Sequence, residues 1–428
     1  MHQSDKEEDV RLEQVEIKGY RSCLSTNFSP DSDLSALIGL NGAGKTNILQ
    51  AVRLLSSKQK GRFSHRQFSQ FEKEADSEVT AWFKIPRLEK RIGLRMRFSI
   101  MESSRRDELV AVSETWNLQS IISSKSWRTL PPVELFRDSE KVRYAQEELL
   151  FFESQAHYSR SGKIDFDRSS LELMRNPVVV DAISAIADFR TGITYYSASR
   201  FTDPARCPSS FEVDEDGRIV DPYGAPAPHL RFIYDLYRLK QLNEPLYDTY
   251  CRFVSRQQLG LLSRVTWKEI ELSSSTAEVR NGGGVRKVRK RKTLVIPKVQ
   301  IGSSYITFNQ LSEGTFKTLA LAFYIITDAS RLLMVEEPEV CVHHGLLARV
   351  VDTLKSYSKT KQTLISTHSD LLVDQLETKN IFVVEMARTG TQVKKLDNWL
   401  TRDARGALHT YLAETGSLGE YWRSGGLS

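Results

Sequence analysis

Several features that would assign the chain to a broad class are scarce or missing. Only four cysteines, Cys23, Cys207, Cys251 and Cys341, occur in 428 residues, and none forms a CxxC pair. That argues against a zinc ribbon and suits a reducing compartment. The tightest metal-like group, Cys341, His343 and His344, has no second ligand pair at finger spacing. No apolar run approaches the ~20 residues needed to cross a bilayer. The opening MHQSDKEEDV is charged where a signal peptide would be apolar. A soluble, cytoplasmic protein without membrane contact is therefore expected. There are no repeats, no low-complexity tract and no sustained heptads, so a long coiled-coil arm is not expected. With 60 basic and 54 acidic residues the net charge is only +6, and global charge does not announce a nucleic-acid partner.

Length and apolar content are ample. A single core rarely grows past roughly 250 to 300 residues, so two or three compact units are expected, and 40% hydrophobic content supports a sizeable core. Alternating apolar residues predict strands at 10–20, 34–40, 77–85 and 92–100, the last two as an antiparallel pair. From about 139 to 190 the pattern is helical, and ITYYSAS (193–199) reads as a buried strand. The stretch 200–229, with five prolines, reads as a surface loop, followed by helical periodicity and then strands. From Thr315 onward helices and apolar strands alternate, which implies a mostly parallel sheet covered on both faces. The expected fold class is α/β. Its expected parts are an N-terminal segment (1–120), a helical insertion (121–192), a core strand with proline-rich loop and inserted elements (193–300) and an α/β lobe (301–428). Local charge peaks in RKVRKRK (286–292), six bases in seven residues. It reads as a solvated loop or as a contact to a phosphate backbone, which carries no sequence specificity by itself.

Residues 39–46 read GLNGAGKT between an apolar strand and a helical NILQAVRLL. A phosphate-binding loop needs glycines where the backbone curls, amide donors at a helix start, a lysine for the outer phosphates and a hydroxyl for magnesium. Gly39, Gly44, Lys45 and Thr46 fill these places, with Asn41, Gly42 and Ala43 offering backbone N–H groups.

Three weaker signals follow in a fixed order. QLSEG (310–314) opens an apolar helix, and such a turn presents a hydroxyl, amides and the positive end of the helix dipole to an anion; an ordinary serine cap reads the same way. The strand 332–335 ends in Glu336, Glu337, Pro338 and Glu339. One carboxylate there can hold a magnesium shell while the next orients or deprotonates water. About thirty residues on, His368 follows the apolar strand of QTLISTHSD and can bond a γ-phosphate or the attacking water.

This set, in this order, resembles the ABC-type ATPases of the OLD (overcoming lysogenization defect) and RecF type and, more distantly, the heads of SMC and Rad proteins. VEIKGYRS (15–22) matches the family's opening, GLNGAGKTNILQA its nucleotide loop, QLSEGT its signature, LLMVEEPEVCVH its second acidic motif and LISTHSDLLV its switch histidine. The match covers roughly 10–120 and 190–395. EEPE followed by His343 looks like the OLD branch, since RecF-like and transporter members more often carry aspartate where Glu336 stands.

The resemblance implies a P-loop ATPase head using ATP and Mg2+. Arg21, Asn41 to Thr46 and Asn47 would bind nucleotide, and Thr46 and Glu336 the magnesium. Glu337 would be the catalytic base and His368 its companion; Gln67 and Gln70 are candidates for the family's magnesium-sensing glutamine. It also implies that Ser312 and Gly314 of one copy complete the pocket of another, giving a homodimer or higher homo-oligomer. OLD proteins add a Toprim nuclease, whose acidic pair has no counterpart after Glu385, so a separately encoded effector, a nuclease or toxin in anti-phage defence, is expected. The alternative is a RecF/SMC-like DNA-repair clamp gripping DNA through Arg286–Lys292. A transporter subunit fits poorly with the insertions and with EEPE.

Overall fold

The computed structural model describes residues 10–56, 76–85, 90–101, 109–123, 126–129, 133–135, 177–220, 228–279, 285–327, 330–340, 342, 344–414 and 416–425. The chain divides into two compact units that interleave in sequence. The first comprises Met1–Tyr195, Ala329–Glu337 and Leu354–Ser428; the second comprises Tyr196–Asp328 and Pro338–Thr353.

The first unit is a sandwich of two sheets. One is antiparallel: β1 (Arg11–Tyr20), β2 (Cys23–Phe28), β4 (Ser77–Lys84), β5 (Lys90–Met101), β6 (Leu109–Ser123), β7 (Ser126–Thr129) and β8 (Val133–Leu135), in the order 2-1-4-5-6-7 with β8 also on β6. The expected antiparallel pair is β4 with β5, in register from Ser77 opposite Phe98 to Lys84 opposite Arg91. The other sheet runs β17 (Gly390–Lys395), β16 (Ile381–Ala387), β3 (Leu34–Ile38), β15 (Gln362–Thr367), β14 (Leu332–Glu336) and β9 (Ile193–Ser197). β16, β3, β15 and β14 are mutually parallel and only β17 is known to reverse, so the predicted parallel sheet is present with an antiparallel edge. All five residues of β3 and all six of β15 are buried, as expected for strands covered on both faces.

Between the sheets lie α1 (Lys45–Arg53) and α2 (Pro177–Thr191). Ile48, Leu49, Ala51 and Val52 of α1 and Ala182, Ile186 and Phe189 of α2 join Val15, Ile17, Phe83 and Leu94 of one sheet and Met334, Leu364 and Val384 of the other. This core is largely aliphatic, and it fixes α1, hence the loop preceding it, against the parallel strands. Of the expected helical insertion (121–192), 177–191 is helix but 121–123, 126–129 and 133–135 are strand, a correction to that expectation; 124–125, 130–132 and 136–176 lie outside the described residues.

The second unit is built on α3 (Pro228–Leu242), α4 (Glu244–Val254), α5 (Glu313–Thr327) and a four-stranded sheet of β10 (Phe211–Asp214), β11 (Arg264–Val279), β12 (Val285–Ile301) and β13 (Ser304–Thr307). Its core is aromatic. The Phe232 ring meets Phe316 at 5.6 Å and Phe323 at 5.5 Å, and Phe201 stacks on Tyr196 at 5.4 Å. Aromatic pairs of this geometry contribute about 0.5–1.5 kcal/mol beyond area burial.

Two expectations are corrected here. The basic run is no loop: residues 286–292 lie within β12 and pair with β11, Arg291 opposite Ser273 and Arg286 opposite Glu278. Its stem explains this, because Val295 and Val299 are fully buried and hold the hairpin in register. The proline-rich stretch is not all loop either. Phe211 and Val213 alternate inward and β10 pairs with β12.

The remaining helices are α6 (His344–Ser358), α7 (Asp370–Val373), α8 (Leu396–Trp399), α9 (Arg402–Glu414) and α10 (Leu418–Arg423). Among the described residues no helix is long and apolar enough to cross a membrane.

Candidate nucleotide site

Three parallel strands, β3, β14 and β15, deliver the expected residues to one end of the first unit's sheet. β3 runs into the loop 39–44 and then into α1, whose first residue is Lys45. Lys45 is only 5% exposed, and its ammonium donates to the Gly39 carbonyl at 2.8 Å and the Leu40 carbonyl at 3.1 Å, centring a positive charge inside the loop. Asn41 and Gly42 are exposed at the lip and Ala43 is buried.

Hydrogen bonds from distant segments fix the loop. The Arg21 guanidinium donates to Asn47 Oδ1 at 3.2 Å, and Asn47 Nδ2 donates to Ser22 Oγ at 2.7 Å. Thr391 Oγ1 gives its single proton to the Ala43 carbonyl at 3.1 Å, so Ser22 is the donor across the 2.8 Å between the two hydroxyls. This relay joins an expected arginine, through the turn between β1 and β2 and through β17, to the backbone of the phosphate loop. Gly44 is required at its end, with φ of 103° and the Thr391 hydroxyl where a Cβ would stand. Ser22 and Thr391 are site residues that the sequence reading missed. Nothing local marks them, because their role depends on β17 packing beside β2. Cys23 is buried behind this relay, and burial pushes its thiol up to about 11.

β14 ends in the two expected carboxylates. Glu336 accepts a hydrogen bond from the Thr46 hydroxyl on Oε1 and one from the Tyr195 hydroxyl on Oε2. Tyr195, on β9, is a third residue the sequence did not disclose; its ring also lies under the Arg53 guanidinium at 5.1 Å. Glu336 therefore spans a hydroxyl of α1 and a hydroxyl of the neighbouring strand. Thr46 and Glu336 offer a hydroxyl and a carboxylate side by side, the oxygen donors that suit Mg2+.

Glu337 adopts φ of 47°, in the left-handed region where a residue with a side chain is strained. Its N–H donates to the Ser366 carbonyl at 2.9 Å, which fixes the reversal. The turn lets one strand end present Glu336 toward Thr46 and Glu337 toward β15, where its Oε1 lies 3.4 Å from His368 Nδ1. Arg21 is likewise at positive φ, 50°, so two of the three described non-glycine residues with this geometry are expected site residues. Such strain persists where surrounding structure over-determines it.

Ser312 and Gly314 belong to the second unit. Ser312 is exposed and caps α5: its Oγ accepts from the Thr315 amide at 3.3 Å and lies 2.8 Å from the Thr315 hydroxyl. The Gly314 carbonyl accepts from Thr318 Oγ1 at 2.7 Å, and Lys317 bridges to Glu313 at 2.6 Å. Gln67, Gln70, Cys341 and His343 lie outside the described residues. Among the described residues no group of three or more His, Cys, Asp or Glu side chains is placed to hold a metal ion.

A family model described as "AAA ATPase domain" matches residues 11–173, and one described as "AAA domain, putative AbiEii toxin, Type IV TA system" matches 302–374. These two stretches are similar to AAA-type ATPase domains. The first match includes the phosphate loop and the second includes Ser312, Glu336, Glu337 and His368. No curated protein matches. Solved structures similar to the chain include an SMC head bound to the C-terminal winged-helix domain of ScpA, at 16% identity and a TM-score of 0.45, covering 90% of this chain and 97% of that one. Another is the SMC head domain from Thermotoga maritima, at 12% identity and a TM-score of 0.37, covering 90% and 98%. A third is an SMC head with an extended coiled coil bound to the C-terminal domain of ScpA, from Pyrococcus furiosus, at 14% identity and 0.44, covering 95% and 100%.

Proposed function

We propose that this chain binds and hydrolyses ATP with Mg2+ in a pocket completed by a second copy, and that the resulting dimer acts as a sensor or scaffold controlling a separately encoded effector, a nuclease or toxin, in anti-phage defence. The observation that carries the catalytic part is the meeting of Lys45, Thr46, Glu336, Glu337 and His368 at adjacent ends of β3, β14 and β15. Lys45 and the loop amides would hold the β- and γ-phosphates. Magnesium, held by Thr46 and Glu336, would neutralise charge on the phosphates. Glu337 orients and deprotonates the attacking water, while His368 holds the other side of that carboxylate.

Dimerisation is supported by what faces outward. Leu40, at the lip of the phosphate loop, is 75% exposed, and Leu371, three residues beyond His368, is 42% exposed. Ser312 is also exposed at the start of α5. Ser312 and Gly314 of one copy would close the pocket of another, and hydrolysis would release the contact. The effector role rests on the resemblance of EEPE and its flanks to the OLD branch.

A second reading, a DNA clamp, is favoured by one observation: the basic residues 286–292 form one strand of a hairpin paired with Leu272–Glu278 rather than an irregular loop. The two readings separate in one experiment. The chain is co-purified with the products of adjacent genes, and duplex binding is measured with ATP at 50 and 200 mM salt. The scaffold gives a stable complex that survives neutralisation of Arg289, Lys290 and Arg291. A clamp gives ATP-dependent duplex binding that those substitutions abolish and that falls steeply with salt.

A further inference from the structure

The segment carrying His368 is held from the far end of the chain. Helix α7 starts at Asp370, two residues after the histidine, and is a single turn. A helix this short has little stability of its own. Ser369 caps it, accepting from the Leu372 amide at 3.3 Å while donating its own N–H to the Thr367 hydroxyl at 3.0 Å. Leu372 and Val373 bury its inner face, and α10 holds its outer side. The Gly419 amide donates to the Asp374 carboxylate at 2.5 Å, and the Arg423 guanidinium lies 3.2 Å from the Asp370 carboxylate. Leu418 is 5% exposed. Gly419 lies so close to the Asp370 carbonyl that a Cβ would overlap it, so only glycine allows this approach. The α10 turn is itself braced by its Ser417 cap and by the Tyr421 ring against Tyr411 at 5.2 Å.

The His368 side chain lies 3.4 Å from the Glu337 carboxylate, and its backbone runs directly into the Ser369 cap of α7, so a shift of α7 carries the histidine with it. We infer that α10 is a positioning element for His368: Gly419 and Arg423 fix α7, and α7 fixes the histidine opposite Glu337. This rests on the reading of Glu337 and His368 as the hydrolytic pair. A small misplacement at a reacting centre lowers turnover without lowering affinity.

The test is steady-state ATP hydrolysis and equilibrium ATP binding by the full chain. Gly419→Val is expected to lower kcat about tenfold with nucleotide affinity unchanged. Arg423→Ala, which removes an exposed pair, should lower it about threefold, and Arg423→Lys should restore it. In a His368→Ala background neither substitution should lower kcat further. An equal loss in both backgrounds, or no loss in either from a protein with unchanged melting temperature, overturns the proposal. Should Gly419→Val not fold, the Arg423 pair carries the same test. If His368→Ala alone leaves kcat unaltered, the parent assignment of the hydrolytic pair fails and takes this proposal with it, a result distinct from additivity.

Discussion

The two expected halves of the nucleotide pocket are built in opposite ways. On the first unit, the phosphate loop and acidic strand end are secured by bonds between residues 290 to 369 positions apart: Thr46 with Glu336, Thr391 with Ala43, Ser22 with Thr391. On the second unit, the signature turn is secured by bonds three and four positions apart, Ser312 with Thr315 and Thr318 with Gly314. The first half exists only when the whole sandwich has closed. The second half has local bonds at the turn itself, although its helix is anchored from afar, the Tyr196 hydroxyl donating to the Lys317 carbonyl at 3.1 Å.

Substitutions should separate the halves, and the largest effect is expected at Lys45. Lys45→Ala removes the buried cation at the loop's centre and should weaken ATP binding by about 100-fold or more, read by titration calorimetry. Next is a contrast between halves. Thr391→Val deletes the hydroxyl bonded to the Ala43 carbonyl and should cost about 1–3 kcal/mol in denaturant unfolding, weakening ATP binding as well. Ser312→Ala should cost about 1 kcal/mol as a lost cap and leave ATP affinity of the single copy unchanged. Equal effects on affinity would erase the distinction. Tyr195→Phe frees one oxygen of Glu336 and should raise the magnesium concentration needed for half-maximal turnover severalfold, with little change in melting temperature.

The smallest effect concerns the second unit's core. Burial holds the His229 imidazole below its ordinary value of 6.5, partly offset by the Thr202 carbonyl 2.8 Å from Nε2. The unfolded chain then binds a proton the folded unit resists. Stability present above pH 6.5 declines as pH falls below it. His229→Gln should show a shallower acid loss of melting temperature between pH 7 and 5.

How much of this was legible follows the same division. Gly39 to Thr46, Glu336, Glu337 and His368 were readable because each stands where a strand ends, and strand ends are marked by apolar runs. Ser22, Tyr195 and Thr391 were not, since their value lies in which strands become neighbours, and no local pattern encodes that. The basic run misled for a related reason. Six bases in seven residues leave no apolar alternation in the sequence to betray a strand, and only the buried Val295 and Val299 further along declare it. In 200–229 the alternation of Phe211 and Val213 was available but was outweighed by prolines. Near the C-terminal end, α10 (Leu418–Arg423) packs on α7.

The central claim is that two copies share a bound nucleotide. It is tested most directly by measuring the solution mass of Glu337→Gln with saturating ATP and Mg2+ and again without nucleotide. The account predicts a twofold mass that appears only with ATP and is lost when Ser312 is replaced by arginine; a single-copy mass with ATP fully bound would contradict it.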